Sequence, residues 1–553
     1  MASNSIDTRM FRNLFLAGAK NLEFKKEYIN ELNVFPVPDG DTGTNMTLTI
    51  MSAARELQAL PEDADLKTVC KAISSGSLRG ARGNSGVILS QLFRGMCKVL
   101  KTVEDKITIE DLIQSFDKAV ESAYKAVMKP TEGTILTVSK GIYEKASEYD
   151  NNSDMSEFID AIIVHAQKVL ESTPEMLPVL KQAGVVDSGG AGLLEVLKGV
   201  QRYFRGEQMD LSIGDENEPS ADAEEGSALA KSRSSSKYTY DMAFTILLTR
   251  NFNIKQEQDF LKYLESMGDR ATVNVVDTNA AITVRTNDPG LVLQRALSFG
   301  DLTDIRIDNL KAGKEKAPAT QKEEKGAVDP SQWKDAGFIA ISAGDGLSAV
   351  FGDLGADHII SGGQTMNPST DDILLAIEKV PAKTIYVLPN NKNIIMAANQ
   401  ARDLTKDKEI VVVPSKTIPQ GIAAMINFMP DQSGEENLAA MTEVMRDVST
   451  GQVTYAVRDT ELGGKVIHEN DIMGIGDGGI LAVGQDVGKT TLEMVDVMMK
   501  DKGGELISIY YGEDIKESEA QEMTKQIRER YGDCDIELVR GGQPIYYYLI
   551  SIE

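Results

Sequence analysis

The sequence predicts a multidomain chain: an all-α N-terminal domain, a small α+β middle domain and a C-terminal α/β domain. Three observations lead there. From Ser5 to about Arg205 the apolar residues recur at helical spacing in successive segments, with few alternating, strand-like runs. Two stretches, 206–236 and 313–333, are charged or Ser- and Ala-rich and nearly free of large apolar residues, the composition of flexible linkers. Beyond the second, short apolar strands alternate with polar turns and helical segments. A chain of 553 residues is too long for one core, and at about 100–200 residues per domain it divides into three or four units. The resulting division is 1–205, a linker at 206–236, 237–312, a linker at 313–333, and 334–553.

In the first domain the helical segments run roughly 8–26, 45–58, 65–76, 85–101, 109–128, 134–149, 155–171 and 190–205. Between them lie glycine-rich turns: Asp39 to Asn45, Arg79 to Gly86, Lys129 to Thr134 and Asp187 to Gly192. Each opens a helix, so their amides can converge on one anion, although singly each is an ordinary helix-breaking loop. The first is the most informative. In Asn33-Val-Phe-Pro-Val-Pro-Asp39-Gly40-Asp41-Thr42-Gly43-Thr44-Asn45-Met46, two carboxylates flank one glycine and small oxygen-bearing residues lead into a helix. Mg²⁺ takes one or two carboxylates and completes its shell with water and phosphate oxygens. Asp39 and Asp41 supply that minimum, and the amides of Thr42, Gly43, Thr44 and Asn45 lie at a helix N-terminus that attracts phosphate. A plain capped turn is the competing reading, but it needs neither the two prolines nor the second Asp. An EF-hand is disfavoured because the twelfth position from Asp39 is Ile50, where a bidentate Glu belongs.

Composition narrows the function classes. The 84 acidic against 58 basic residues give a formal charge of −26, which argues against nucleic acid or an anionic membrane surface as the main partner, local basic patches aside. Cys70, Cys97 and Cys534 lack CxxC spacing, so neither a disulfide framework nor a cysteine metal site is indicated and a reducing, cytoplasmic setting fits. No apolar run approaches the roughly 18 residues that span a bilayer, and the N-terminus does not read as a signal peptide. His165, His358 and His468 are far apart, which disfavours chemistry that needs several imidazoles.

These motifs carry a resemblance. Residues 1–205 resemble the nucleotide-binding domain of the dihydroxyacetone kinase family, which implies an eight-helix barrel holding ATP and two Mg²⁺ at one end through an Asp-Gly-Asp motif. LNVFPVPDGDTGTNM at 32–46, GARGNSGVILSQ at 80–91, EGTIL at 132–136 and LPVLKQAGVVDSGGAGL at 177–193 are closer still to the ATP-binding subunit of the bacterial fatty acid kinase family. The linkers and C-terminal domain match that layout too. Carried over by position, the resemblance puts metal carboxylates at Asp39 and Asp41. A third Asp of the dihydroxyacetone enzymes has no counterpart here; Asn33 is the nearest oxygen ligand, at a different spacing. Phosphate contacts fall on Thr42, Gly43, Thr44, Asn45, Asn84, Ser85 and Gly86. The adenine and ribose side falls near Thr134 and Ile135, with Asp187, Ser188 and Gly189 closing the pocket. Arg79 and Arg82 stand as extra phosphate-side charge or as solvated loop cations.

From Tyr238 to about Ala312 strand-like and helical runs alternate, an α+β pattern. The fatty acid kinase family usually carries His-x-His-Thr here as part of a metal site; this chain has Thr283-Val-Arg285-Thr and no upstream Cys, so the middle domain is expected to lack that metal. In 334–553, GFIAIS, HIIS, TIYVLP and EIVVVP predict a parallel, doubly wound sheet, with 450–553 as a second half of the same unit. The turns Ser361 to Ser369, Leu388 to Asn393 and Val413 to Gly421 fall where open α/β sheets bind ligands, though Gly, Asn, Ser and Pro also simply close βα turns. Gly484 to Thr491 looks like a P-loop, but it has three residues between its glycines where a P-loop has four.

The family resemblance implies transfer of the ATP γ-phosphoryl group to the carboxylate of a fatty acid delivered by a separate fatty-acid-binding carrier protein, giving an acyl phosphate. A carboxylate is already ionised at neutral pH and needs no general base, which suits a histidine-poor chain. The alternatives are an ATP-binding regulator without turnover and a dihydroxyacetone-type kinase subunit; a homodimer is compatible. The linkers lead to a further expectation: that the two ends act separately, 1–205 holding Mg²⁺-ATP and 334–553 docking the carrier.

Overall fold

The computed structural model describes residues 5–33, 40–127, 129–213, 240–248, 260–264, 267–276, 279–287, 289–297, 299–309, 333–363, 367–456, 459–462 and 465–553. The first region is helical: α1 (Thr8–Phe24), α2 (Lys26–Leu32), α3 (Thr42–Gln58), α4 (Leu66–Arg79), α5 (Gly83–Leu100), α6 (Ile109–Ala126), α7 (Ile135–Ala146), α8 (Met155–Met176), α9 (Pro178–Ala183) and α10 (Ser188–Phe204). Each segment read from the sequence is matched by one of the longer helices; the short α2 and α9 were not foreseen. Packing runs from α1 to α3, through α4, α5, α6, α7 and α8 to α10, and back to α1. The amphipathic faces bury one shared core, including Leu22, Met46, Ile50, Ile73, Leu89, Leu100 and Phe158. Within it lies an apolar cavity of about 160 Å³ lined by Phe11, Phe15, Phe93 and Phe158 among others, remote in character from the polar helix ends.

Helix starts divide into two kinds. Asp7, Asp65, Thr108, Thr134, Asp154 and Asp187 each cap their own helix, accepting a backbone N–H near its start. The long helices α3 and α5 begin at Asp41 and Arg82 without any side-chain cap. Their first amides are left for another partner.

Residues 218–328 form a compact unit of their own. There β1 (Tyr240–Leu248), β2 (Gly268–Val276), β3 (Asn279–Thr286) and β4 (Gly300–Asn309) make an antiparallel sheet in the order β2-β3-β1-β4, with α11 (Pro289–Ala296) between β3 and β4. Met242, Phe244, Ile246, Val284 and Val292 bury its core.

The C-terminal region starts with β5 (Lys334–Ser342), α12 (Asp345–Asp353), β6 (His358–Ser361), α13 (Thr370–Lys379), β7 (Ala382–Leu388), α14 (Ile395–Leu404), β8 (Glu409–Val412), α15 (Ile418–Ile426) and α16 (Gly434–Asp447). Its four strands are parallel in the order β6-β5-β7-β8, with apolar cores on both faces. This is the doubly wound sheet the strand pattern predicts. Residues 449–552 do not continue it. They form β9 (Ser449–Tyr455), β10 (Thr460–Leu462), β11 (Lys465–Ile467), β12 (Ile472–Gly476), β13 (Gly479–Gly484), α17 (Val487–Asp501), β14 (Leu506–Tyr511), α18 (Glu517–Arg530), β15 (Asp535–Arg540) and β16 (Tyr548–Ile552). The larger sheet is separate, in the order β13-β12-β9-β16-β14-β15, and only β14 and β15 pair in parallel. The reason is connection length: the turn from Gly476 to Gly479 closes a hairpin, whereas a parallel pair needs a crossover of a dozen or more residues.

The expected separation of the two ends also gives way. Residues 1–217 and 329–553 make one compact unit. Ala81 and Val87, at the entry to α5, are buried in the same apolar cluster as Ile339, Ile373, Val387 and Ala397. The Thr370 N–H donates to the Ala81 carbonyl at 3.0 Å, and Gln400 Nε2 donates to the Leu78 carbonyl at 2.6 Å while its Oε1 accepts from Gln91. Linker composition speaks only of the linker; it says nothing of the faces that the linker allows to meet.

Candidate functional site

Four helix starts gather at one end of the helical region. Gly192, one turn into α10, lies against Met46, one turn into α3. Gly86 of α5 packs so closely on Thr49 and the Asn45 carbonyl of α3 that no Cβ fits between them. The Arg82 N–H donates to Thr49 Oγ1 at 3.3 Å. On the far side, the Asp187 carboxylate accepts from the Gly190 N–H at 2.7 Å and also from the Ile135 N–H, so one side chain caps α10 and α7 together. Burial pushes that carboxyl up to about 6. Its loss in Asp187→Ala is expected to cost about 1–3 kcal/mol of stability, measured by denaturant unfolding, because two helix ends lose an acceptor.

At the centre is Asp41. It is buried at 6 % exposure and does not cap its own helix. Its Oδ2 accepts from Asn367 Nδ2 at 2.5 Å, and Asn45 donates to the same carboxylate. Burial raises its pKa to about 6 against the opposing pull of the two amides. Among the described residues no Lys, Arg or His pairs with it. Arg82 is engaged elsewhere: its Nη1 donates to the Asn367 carbonyl at 3.0 Å and lies 3.4 Å from Asp372. Arg79 acts electrostatically on Glu56, drawing its carboxyl down against the rise that burial causes.

The other sequence-derived positions sort as follows. Asp39 lies outside the described residues. Asn33 ends α2, its N–H bonded to the Asn30 carbonyl. Thr42 and Gly43 present amides with no partner among the described residues. Thr44 is already engaged, its N–H donating to Asn30 Oδ1 and its hydroxyl accepting from Asn30 Nδ2, both at 3.1 Å. Asn84 and Ser85 stand at the uncapped start of α5; Asn84 Nδ2 donates to Asn393 Oδ1 at 3.2 Å, and its own Oδ1 is buried without a partner. Thr134 caps α7 and also donates to the Thr131 carbonyl, and Ser188 and Gly189 open α10 beside Ile135. Two residues escaped the sequence reading: Asn30, which braces the start of α3, and Asn367, which comes from the loop after β6. The long polar turn around Asn367 was the available signal, but nothing in it indicates which surface it meets.

The loops at the carboxyl ends of β6, β7 and β8 do share one surface. Asn391 Nδ2 donates to the Gly363 carbonyl, and the hydroxyl of Ser415 donates to Asn390 Oδ1 at 2.8 Å. That surface meets the helical region through Asn367 and Asn393.

The P-loop-like stretch behaves differently. The Asp486 carboxylate already caps α17, accepting from the Lys489 N–H at 2.8 Å, so the helix end carries its own anion. The Thr491 hydroxyl is buried and donates to the Val487 carbonyl. Lys489→Ala is expected to leave Mg²⁺-nucleotide affinity within about twofold of the parent by calorimetry.

In the middle unit Thr283 shares a hydroxyl hydrogen bond with Thr272 at 2.6 Å and Arg285 is buried. No group of three or more His, Cys, Asp or Glu suited to a metal occurs among the described residues. No helix among them is long and apolar enough to cross a membrane.

Asp41 and the two uncapped helix starts fit a metal-bound nucleotide. Among the described residues the buried carboxylate is faced by neutral amides without a counter-charge, two amide oxygens, on Asn84 and Asn367, lack donors, and unpaired helix amides suit phosphate.

Three family models match the chain. The FakA-like C-terminal domain of fatty acid kinase matches residues 337–553, the FakA-like middle domain of fatty acid kinase matches 237–317, and the DAK2 domain matches 36–202. The chain is 40 % identical over 560 residues to Protein YloV of Bacillus subtilis, covering all of both chains. It is 39 % identical over 553 residues to an uncharacterized protein of Staphylococcus aureus strain MRSA252, again over the full length of both. Among solved structures, the dihydroxyacetone kinase from C. freundii in complex with AMP-PNP and Mg²⁺ aligns at 20 % identity and TM-score 0.28, over 35 % of this chain and 33 % of that one. The Streptococcus pneumoniae fatty acid kinase B3 protein loaded with linoleic acid aligns at 14 % identity and TM-score 0.29, over 40 % of this chain and 99 % of that one.

Proposed function

Because the chain belongs to the FakA-like family of fatty acid kinase proteins and carries a DAK2 domain, we propose that it transfers the γ-phosphoryl group of ATP to the carboxylate of a fatty acid presented by a separate binding protein. The observation that carries this reading is Asp41: a buried carboxylate with no cationic partner among the described residues, set between the uncapped starts of α3 and α5.

In this reading Asp41, with Asp39 from the same motif, holds Mg²⁺, which supplies charge neutralisation at the phosphates. The amides of Thr42, Gly43, Asn84 and Ser85, at helix starts that no side chain caps, bind phosphate oxygens, as helix starts do. An oxygen of the ionised fatty acid carboxylate attacks the γ-phosphorus as the bond to the β-phosphate oxygen breaks, giving acyl phosphate and ADP. No proton moves, so no general base is required, and the chain's task is to position and neutralise. Asn367, from the loop after β6, and Asn393, from the loop after β7, reach the helical region beside the site, and in this reading the carrier delivers its carboxylate to that shared edge.

The test is ATP turnover by the full chain with and without a fatty-acid-loaded binding protein. The expected result is ADP formation that depends on the loaded carrier, with acyl phosphate trapped by hydroxylamine. Turnover on dihydroxyacetone instead would move the reading to a dihydroxyacetone-type kinase, and nucleotide binding without turnover under any condition would move it to a regulator. Elemental analysis of the same preparation is expected to find no tightly held zinc, since Thr283 and Arg285 replace two imidazoles.

A further inference from the structure

We propose that Asn367, contributed by the C-terminal region, is a cation ligand of the nucleotide site: its side-chain carbonyl completes, with Asp41, the oxygen set that holds the divalent ion. This inference rests on the nucleotide reading above and makes the site one that neither region possesses alone.

The atoms decide the orientation. An ionised carboxylate only accepts hydrogen bonds, so the Asn367 amide must present its NH₂ to Asp41 Oδ2, which it does at 2.5 Å. Its carbonyl oxygen is then left for a different partner. Oδ1 is buried and has no hydrogen-bond partner among the described residues, in a residue only 1 % exposed. Leaving a buried acceptor empty is costly, and native structures fill nearly all such atoms. A phosphate cannot fill it, because phosphate oxygens and an amide carbonyl are both acceptors. A hard divalent cation can, since amide carbonyls and carboxylates together are its usual ligands.

The position is built. The Asn367 main-chain carbonyl accepts from Arg82 at 3.0 Å, which anchors the loop to the residue that opens α5. Two residues on, Ser369 caps α13 in a reciprocal box with Asp372, and the Thr370 N–H holds the Ala81 carbonyl. Arg82 also approaches Asp372. The side chain is thus aimed by its own main-chain carbonyl and by the residues that follow it, through contacts to the turn that opens α5 and to the loop's own helix. Asn84 and Asn393 tie the same two regions together one loop over.

The test compares full-chain Asn367→Ala, Asn367→Asp and Asp41→Asn. Mn²⁺ binding is read by paramagnetic resonance with AMP-PNP present, and Mg²⁺-AMP-PNP binding by calorimetry. A ligand role predicts that Asn367→Ala weakens Mn²⁺ binding by about tenfold or more, while Asn367→Asp, which keeps an oxygen and adds charge, retains or tightens it. A role confined to donating a hydrogen bond to Asp41 predicts equal loss in both, because Asp cannot donate when ionised. Equal loss, or an Asn367→Ala protein that binds Mn²⁺ like the parent while Asp41→Asn does not, overturns this inference and leaves the nucleotide reading standing. Parent-like binding by Asp41→Asn overturns the nucleotide reading itself. Should the Ala variant not fold, the Asp variant decides alone.

Discussion

Asp41→Asn is expected to abolish Mg²⁺-dependent nucleotide binding and turnover and, at the same time, to make the ligand-free chain more stable. The two effects have one cause. A carboxylate buried at 6 % exposure among neutral amides is the group that a cation needs and that an empty protein bears at a cost. Burial pushes its pKa up from 3.8 to about 6. The folded protein therefore holds the proton more tightly than the unfolded chain, and stability from this group is full below about pH 4 and is lost as pH rises through about 6. The difference is about 3 kcal/mol at most. Asn at this position keeps an oxygen for the Asn367 donor and removes the charge. Without ligand, the variant is expected to unfold at a higher denaturant concentration than the parent at pH 8 and at nearly the same concentration at pH 4. With Mg²⁺ and AMP-PNP the order reverses, since only the parent gains binding energy. A variant that is less stable at pH 8 in the absence of ligand, yet still binds nucleotide, would show Asp41 to be a structural group.

Gly43→Ala is expected to have the next largest effect. A Cβ at Gly43 would overlap the Lys26 carbonyl oxygen and come within 2.9 Å of Asn30 Oδ1. The first is backbone, and the second is a side-chain end held by the Thr44 N–H. Backbone at the end of α1 and start of α2 would have to move, and with it Asn30, which braces Thr44. A stability loss of about 2–4 kcal/mol is expected, together with loss of nucleotide binding, because the amides of Thr42 and Gly43 shift with the helix start. Denaturant unfolding and calorimetry on the same protein check both. If stability falls but affinity for Mg²⁺-AMP-PNP is kept, the start of α3 is not part of the phosphate site.

Much of the helical region was legible because its signals are local. Apolar spacing marked each longer helix, and the structure adds that Asp65, Asp154 and Asp187 cap three of them. The short α2 and α9 were not legible, since a helix of one or two turns leaves too little periodicity to read. In the C-terminal region the apolar runs of β5 to β8 announced a parallel sheet, but the same kind of run in β9, β12 and β16 belongs to a largely antiparallel one. Strand composition does not encode the direction of a partner; connection length and tertiary pairing do.

The sequence by itself determined the chemistry on offer: Asp41 before small residues at a helix start, glycines where α3 and α5 must touch, few histidines, and no cysteine pair with metal spacing. Those are properties of a residue and its near neighbours along the chain. Only the tertiary structure decided that Asn367, separated from Asp41 by most of the protein, is its hydrogen-bond partner, that Arg82 is occupied in holding the Asn367 loop, and that Asp187 spans two helices. An amide side chain has no preference in the sequence for one acceptor over another. It acquires a role when burial removes water and leaves a single partner within reach, and that is settled by which faces the folded regions bring together.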